Sequence, residues 1–352
     1  MSSAKYILSG TAILAGLIGA QAKLDTSSTS NIAVYWGQNS YGASSGNLEQ
    51  QDLGTYCDND DIDVLIMSFV TQVNGQGGAP VINFANTGNN CTTFDGTELL
   101  NCPKVGSDIK KCQDKGKTIL LSIGGATYSE GGFTSADAAT AGAKLIWSTF
   151  GPSTNDSTPR PFGDAVVDGF DFDFESTVSN MEVFGNEIRS LMDADKSKTY
   201  FLTAAPQCVY PDAADKAMLD GAVSFDAIWV QFYNNFCGVQ NYKAGSDSPF
   251  NFNVWDQWAK NSSKNPDVKV ILGVPANTGA AGSGYESASD LKAVIDYSAT
   301  FSSFGGVMMW DASQAYANDG FIAGVRSDLG AGNSSSTINS RVARRFANRR
   351  YW

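Results

Sequence analysis

Apolar residues in this chain gather into short runs bounded by Gly, Pro, Asn and Ser, and most gaps between the runs carry helical periodicity. Eight runs read as strands: Ile32–Tyr35, Val64–Phe69, Thr118–Ile123, Val166–Glu175, Tyr200–Pro206, Ala227–Tyr233, Val268–Val274 and Gly306–Trp310. Three of the intervening helices are legible. Ala136–Phe150 is Ala-rich and carries Leu145, Ile146 and Trp147. Ser179 stands three residues before Glu182, which is capping-box spacing, and Met181, Phe184, Ile188, Leu191 and Met192 then form one apolar stripe. Ser289 opens the third, with Leu291, Val294 and Ile295 facing inward. Strands alternating with helices favour a parallel sheet. Eight such units over about 300 residues predict an α/β fold, a single (β/α)8 barrel of the TIM type. An open doubly wound sheet is the rival. It usually binds phosphate on a Gly-rich first loop, whereas the first strand here runs into Tyr35-Trp36-Gly37-Gln38-Asn39, which is no phosphate cradle.

The two ends differ from this middle. Lys5, the apolar stretch Ile7–Ile18 and the small-x-small site Ala20-Gln21-Ala22 read as a secretory leader, residues 1–22, so the mature chain is expected to begin near Lys23. The stretch is short for a membrane span. Residues 23–30 form a Ser/Thr-rich lead-in, residues 31–329 the barrel, and residues 330–352 a tail. The tail carries Arg341, Arg344, Arg345, Arg349 and Arg350 and reads as solvated and disordered. Proteolytic trimming and contact with an anionic wall polymer are its alternatives.

Composition narrows the chemistry. The chain has 352 residues, 42% hydrophobic and 17% charged, which is ample for a large core. A formal net charge of −12 argues against nucleic acid as a partner, because phosphates need a basic face. Neutral or cationic partners remain. There is no histidine. That removes Ser-His-Asp and Cys-His catalysis and His-ligated metals, so any general acid or base is a carboxylate, Lys, Tyr or Cys. The six cysteines Cys57, Cys91, Cys102, Cys112, Cys208 and Cys237 fit three disulfides on a secretory route, and composition leaves their pairing open. No C-x-x-C spacing supports zinc, and neither a metal nor a cofactor is expected. Asn90, Asn155, Asn261 and Asn333 begin acceptor sites for N-glycosylation.

The densest chemical signal is Asp168-Gly169-Phe170-Asp171-Phe172-Asp173-Phe174-Glu175. Side chains alternate faces along a strand, so Asp171, Asp173 and Glu175 share one face and the three phenylalanines the other. In a barrel the phenylalanines pack outward under helices. The acids then point inward near the C-terminal mouth, where barrel enzymes keep their chemistry. Like charge and burial both raise a pKa, so three carboxylates this close should hold at least one proton. A carboxylic acid still protonated near neutral pH is what glycosidic cleavage needs. A hard-metal site or a plain charged face are the alternatives, though an exposed face seldom alternates with three Phe.

With Tyr35–Asn39, Ser122-Ile123-Gly124-Gly125, Leu202–Cys208, Trp229–Asn235, Ala281–Tyr285 and Gly305–Trp310, this motif makes residues 31–330 resemble glycoside hydrolase family 18, in particular the class III chitinases of the hevamine type and their fungal relatives. The resemblance implies an endo-acting, retaining enzyme on β-1,4-linked N-acetylglucosamine that lacks a protein nucleophile. Glu175 would be the general acid and then the base. The substrate's N-acetyl carbonyl would attack the anomeric carbon and form an oxazolinium ion. Asp173 would orient the acetamide, Asp171 would set the protonation of Asp173, and Tyr233 would donate to the acetamide oxygen. Trp310 would floor the subsite of the cleaved sugar. Tyr35, Gln38, Gln231 and Asn234 would hold sugar hydroxyls or the acetamide, and Gly125 would line the same site. Also implied are disulfides Cys57–Cys112, Cys91–Cys102 and Cys208–Cys237, and non-proline cis peptides at Ser68-Phe69 and Trp310-Asp311. The expected partner is chitin or its oligosaccharides, met by a monomer that is secreted, extracellular or wall-associated and independent of membranes. Ser176 after the acid, the first helix region and the Arg-rich tail depart from the family pattern. Two rivals share the barrel: a lectin or enzyme inhibitor that has lost the acid, and an endo-β-N-acetylglucosaminidase acting on N-glycans.

Overall fold

A computed structural model of the chain describes residues 24–152, 157–245 and 248–330. The expected leader, Lys23, the tail beyond Gly330, Asn155 and Asn333 lie outside the described residues. The eight expected strands form as β1 (Asn31–Trp36), β2 (Val64–Gln72), β3 (Thr118–Gly124), β4 (Gly169–Asp173), β5 (Phe201–Ala204), β6 (Ala227–Gln231), β7 (Lys269–Pro275) and β8 (Phe304–Trp310). Each pairs in parallel with its sequence neighbour, and β8 pairs with β1, which closes the ring. Val81–Ile82 adds an antiparallel strand to the end of β2, and Thr92–Thr93 pairs with Leu100–Asn101 outside the barrel.

Period-two alternation divides the apolar residues into two cores. Ala33, Tyr35, Val64, Ile66, Leu120, Phe201, Trp229, Ile271 and Met308 fill the barrel, and Leu24 joins them at its N-terminal end. Val34, Leu65, Leu121, Phe170, Phe172, Val230, Leu272 and Met309 point outward into the layer beneath the helices. Gly169 starts β4 with φ 150°, and a Cβ there would stand 1.8 Å from the Phe201 carbonyl oxygen, so the motif's glycine is required by close packing of β4 on β5.

Three strands are shorter than the apolar runs, for reasons that matter to the site. Before β4, the Val167 and Asp168 N–H groups bond the Phe150 and Ile119 carbonyls, and at its end Gly125 N–H takes the Asp173 carbonyl at 2.6 Å. Glu175 therefore lies beyond the strand. Likewise β5 stops at Ala204 rather than Pro206, and β6 at Gln231 rather than Tyr233.

The helix Ala136–Phe150 forms as expected, with Ser135 as its cap. Two other helix starts differ from expectation. Met181–Ala194 begins after Asn180, which is left-handed with φ 56° and makes no side-chain cap. The backbone of Ser179 is engaged elsewhere: its N–H donates to Gly131 and its carbonyl accepts from Phe133. Of the stripe, Met181, Phe184, Ile188 and Met192 are buried and Leu191 is half-buried. Ala288–Ser298 is capped by Ser287, whose oxygen accepts the Asp290 N–H, so Ser289 sits inside the first turn.

All three disulfides pair as the resemblance implied, and both non-proline peptides are cis. Asn90 and Asn261 are exposed. Among the described residues no helix is long and apolar enough to cross a membrane.

Candidate active site

Asp171 sits at the centre of the barrel with no exposed surface. Its register partners are Ser122 on β3 and Thr203 on β5. Four donors surround it. Tyr35 Oη and Ser122 Oγ each donate to Oδ2 at 2.7 Å, while Thr203 Oγ1 (2.7 Å) and Trp229 Nε1 (3.0 Å) donate to Oδ1. Burial raises its carboxyl above the ordinary value, and the four bonds pull the other way. Ser122, Thr203 and Trp229 carry no individual sequence signal of this role. The signal that finds them is inward alternation on strands that flank or face β4.

Asp173 is buried with one side-chain donor, Gln231 Nε2, at 3.0 Å from its Oδ1. Burial, then the charge of Asp171, then that of Glu175 hold its carboxyl well above the usual carboxylate range. Four donors favour the charged form of Asp171 and only one favours that of Asp173, so a proton in this pair belongs on Asp173. Glu175 is exposed at the mouth, yet the flanking protein removes enough water to raise its carboxyl too. Tyr233, just beyond β6, is buried. Its phenol is pushed well up by burial and then by the charges of Asp173 and Glu175. It is thus a protonated donor at neutral pH, within electrostatic reach of both acids.

The other expected sugar contacts divide by how far the protein already engages them. Tyr35 gives its hydroxyl to Asp171. Gln231 Nε2 donates to Ala205 O (2.9 Å) as well as to Asp173, so it positions the acid. Gln38 Nε2 faces the Ser68 (2.7 Å) and Asn83 (3.1 Å) carbonyls and braces the loop after β1. Gly125 has φ 80°, and a Cβ there would stand 2.6 Å from the Phe69 ring. Asn234 is exposed; its Oδ1 accepts the Ser283 N–H at 3.1 Å, and its Nδ2 is the donor it can turn to a ligand. Trp310 ends β8 half-buried, 5.5 Å from the Tyr35 ring and nearly parallel to Phe69 at 6.0 Å.

A second acid pair stands behind the first on the loop after β5. Asp212 accepts the N–H groups of Gln207 (2.9 Å), Ala214 (2.8 Å) and Asp215 (2.9 Å). Asp215 is completely buried, and neither of its carboxyl oxygens has a hydrogen-bond partner among the described residues. Burial, then the charges of Asp212, Asp173 and Asp171, hold it well above the ordinary range. Among the described residues no Lys or Arg forms an ion pair with Asp171, Asp173, Glu175, Asp212 or Asp215. Nor do those residues contain a group of three or more His, Cys, Asp or Glu arranged to hold a metal ion.

The chain and its (β/α)8 barrel have counterparts among known proteins. Residues 31–283 match the family described as glycosyl hydrolases family 18. The chain belongs to that family. This family 18 chain is 56% identical over 338 residues to a class III chitinase of Arthroderma benhamiae, covering 95% of this chain and 96% of the relative. It is 48% identical over 313 residues to endochitinase 33 of Trichoderma harzianum, covering 88% and 94%. Among solved structures it is similar to a chitinase of Ipomoea carnea, 29% identical with a TM-score of 0.67, covering 85% of this chain and 99% of that one. It is equally similar in shape to a xylanase and α-amylase inhibitor protein of Scadoxus multiflorus, 31% identical with a TM-score of 0.67, covering 84% and 98%.

Proposed function

We propose that this chain is a secreted endochitinase that hydrolyses β-1,4 linkages between N-acetylglucosamine units with retention, through an oxazolinium ion. The observation that carries this reading is the unequal acid row. Glu175 at the mouth has a raised pKa, Asp173 below it is buried and proton-holding, and Asp171 beneath is tied to four donors. Glu175 gives its proton to the glycosidic oxygen as the bond from that oxygen to the anomeric carbon breaks. The acetamide carbonyl oxygen of the same sugar bonds to that carbon, and a cationic oxazolinium ring forms. Asp173 faces the acetamide N–H; as positive charge grows, the proton it holds passes to Asp171, and the Asp173 carboxylate left behind stabilises that charge. Tyr233 donates to the acetamide oxygen and orients it. Water then attacks the anomeric carbon and loses a proton to Glu175, which restores the acid as the ring opens. Trp310 floors this sugar through its apolar face.

The catalytic unit is residues 31–329, acting as a monomer after removal of a leader at residues 1–22. Three disulfides and exposed acceptor residues Asn90 and Asn261 support an oxidising, extracellular or wall-associated setting. Likeness to an inhibitor protein keeps a non-catalytic reading in play, against which stand Glu175, Asp173 and Tyr233 together in one site. Incubation of the protein with chitin oligomers, with the matching glucosamine oligomers and with a high-mannose glycopeptide separates these readings. New reducing ends from the chitin oligomers alone are expected. Rapid cleavage of the deacetylated oligomers would refute the acetamide's part, and cleavage of the glycopeptide alone would move the substrate to N-glycans. Binding of chitin oligomers without cleavage would leave a lectin.

A further inference from the structure

Two aromatic side chains outside the acid site stand exposed on loops at the same face of the barrel. Phe236 follows Tyr233 by three residues on the loop after β6 and is 65% exposed; Tyr210, on the loop after β5, is 37% exposed. The Cys208–Cys237 disulfide joins these loops beside the two rings, adjoining Phe236 and two residues before Tyr210. Further bonds brace them. Asn235 Nδ2 donates to Gln207 Oε1 at 2.9 Å, Asn241 Nδ2 donates to the Phe236 carbonyl at 2.9 Å, and the Tyr210 ring meets Trp255 edge-on at 5.3 Å. A phenyl ring held open to water forgoes the stabilisation of burial, here on a loop tied in place on both sides. Flat apolar rings with amide groups alongside suit a pyranose, whose C–H face stacks on the ring while its hydroxyls and acetamide meet the amides.

In the closed ring β5 stands opposite β1 and β6 two strands from β8, and the ends of β1 and β8 carry Tyr35 and Trp310. We propose that Phe236 and Tyr210 form an outlying sugar-binding lip that holds the chitin chain away from the linkage being cleaved. The lip rests on the chitinase reading above, and its occupant is the chain that fills the acid site, because Tyr233 and Phe236 share one loop. Polymer and long oligomers span the mouth and reach the lip; short substrates do not.

Steady-state hydrolysis of a chromogenic disaccharide glycoside, an N-acetylglucosamine hexamer and colloidal chitin tests this. Phe236→Ala should lower kcat/KM on the hexamer and the polymer about three- to tenfold, mainly through KM, with a much smaller loss on the disaccharide glycoside. Phe236→Trp should restore the hexamer value, and adding Tyr210→Ala to Phe236→Ala should widen the difference between long and short substrates. Hexamer and polymer kinetics unchanged in the double variant would overturn the lip. So would an equal loss at every length, which would report a distorted loop. If the wild-type protein cleaves none of the three, the chitinase reading itself fails, an outcome distinct from either of these.

Discussion

At the N-terminal end of the barrel, Asp63, Asp168 and Asp226 stand one residue before β2, β4 and β6. Each accepts a backbone N–H near the start of the preceding strand, from Ile32, Ile119 and Leu202 respectively. Each also has a cation: Arg326, Lys198 and Arg189. At the C-terminal end, Asp171, Asp173 and Asp215 are buried like Asp63 and Asp168 and more deeply than the half-buried Asp226, but their hydrogen-bond partners are neutral donors, or none among the described residues. Burial raises even Asp226, and its bonds to Leu202 and Arg189 pull it back. Among the described residues nothing positive does so for the acids at the mouth. Asp168 and Asp171, three positions apart in one motif, therefore belong to different trades: an ion-paired acid that braces the strands, and one without a cation that belongs to a proton-holding cluster.

Substitutions at the two ends should separate these roles. The largest expected effect is at the mouth. Glu175→Gln should lower kcat on chitin oligomers by about 10²–10⁴-fold, with the thermal midpoint and oligomer binding kept. Near wild-type turnover would remove Glu175 as the acid. At the other end, Asp168→Ala leaves the Lys198 ammonium and the Ile119 N–H without their partner. It should cost about 3 kcal/mol in denaturant unfolding while the rate per folded molecule is maintained. A large rate loss there would blur the two ends into one.

Much of this division was legible in the residues. Alternation along Asp168–Glu175 places the acids inward and the phenylalanines outward, as observed, because both faces of a barrel strand are buried and a one-residue slip would bury the wrong set. Strand ends were less legible. Glu175 and Tyr233 continue apolar runs in sequence but lie past the last ladder bond, where Gly125 N–H has taken the Asp173 carbonyl. Helix starts failed where tertiary contact overrode local chemistry: Ser179 had capping spacing, yet its backbone pairs with the loop at Gly131 and Phe133. Inward alternation marks Tyr35, Ser122, Thr203 and Trp229 as barrel-facing, but that these four meet on Asp171 depends on register and facing among four strands, which no local pattern encodes. Gln231 and Gln38, which the resemblance implies hold sugar, already donate to protein acceptors, and those partners become visible only with the fold.

Smaller effects sharpen the contrast. Tyr233→Phe removes one donor to the acetamide and should reduce kcat/KM about tenfold or somewhat more, without moving the thermal midpoint. An unchanged rate would leave the acetamide without its hydroxyl partner. Asp215→Asn tests the second acid pair through pH. The folded-state pKa of Asp215 is raised, so the unfolded chain loses this proton at lower pH than the folded one does. Stability is thus lost as pH rises above the unfolded value of about 4. The variant should gain stability over wild type at pH 7 and much less at pH 3. A gain independent of pH would mean that Asp215 is not held in its protonated form.

The claim on which the mouth's chemistry turns is that the nucleophile is the sugar's own acetamide, held by Asp173 and Tyr233 beneath the Glu175 proton. Proton NMR of an N-acetylglucosamine hexamer in the first moments of digestion, before mutarotation, reads the anomer at each newly formed reducing end. The β-anomer is the expected product, because two displacements at the anomeric carbon restore its configuration. An initial α-anomer would mean that water attacks directly in a single displacement, and would contradict it.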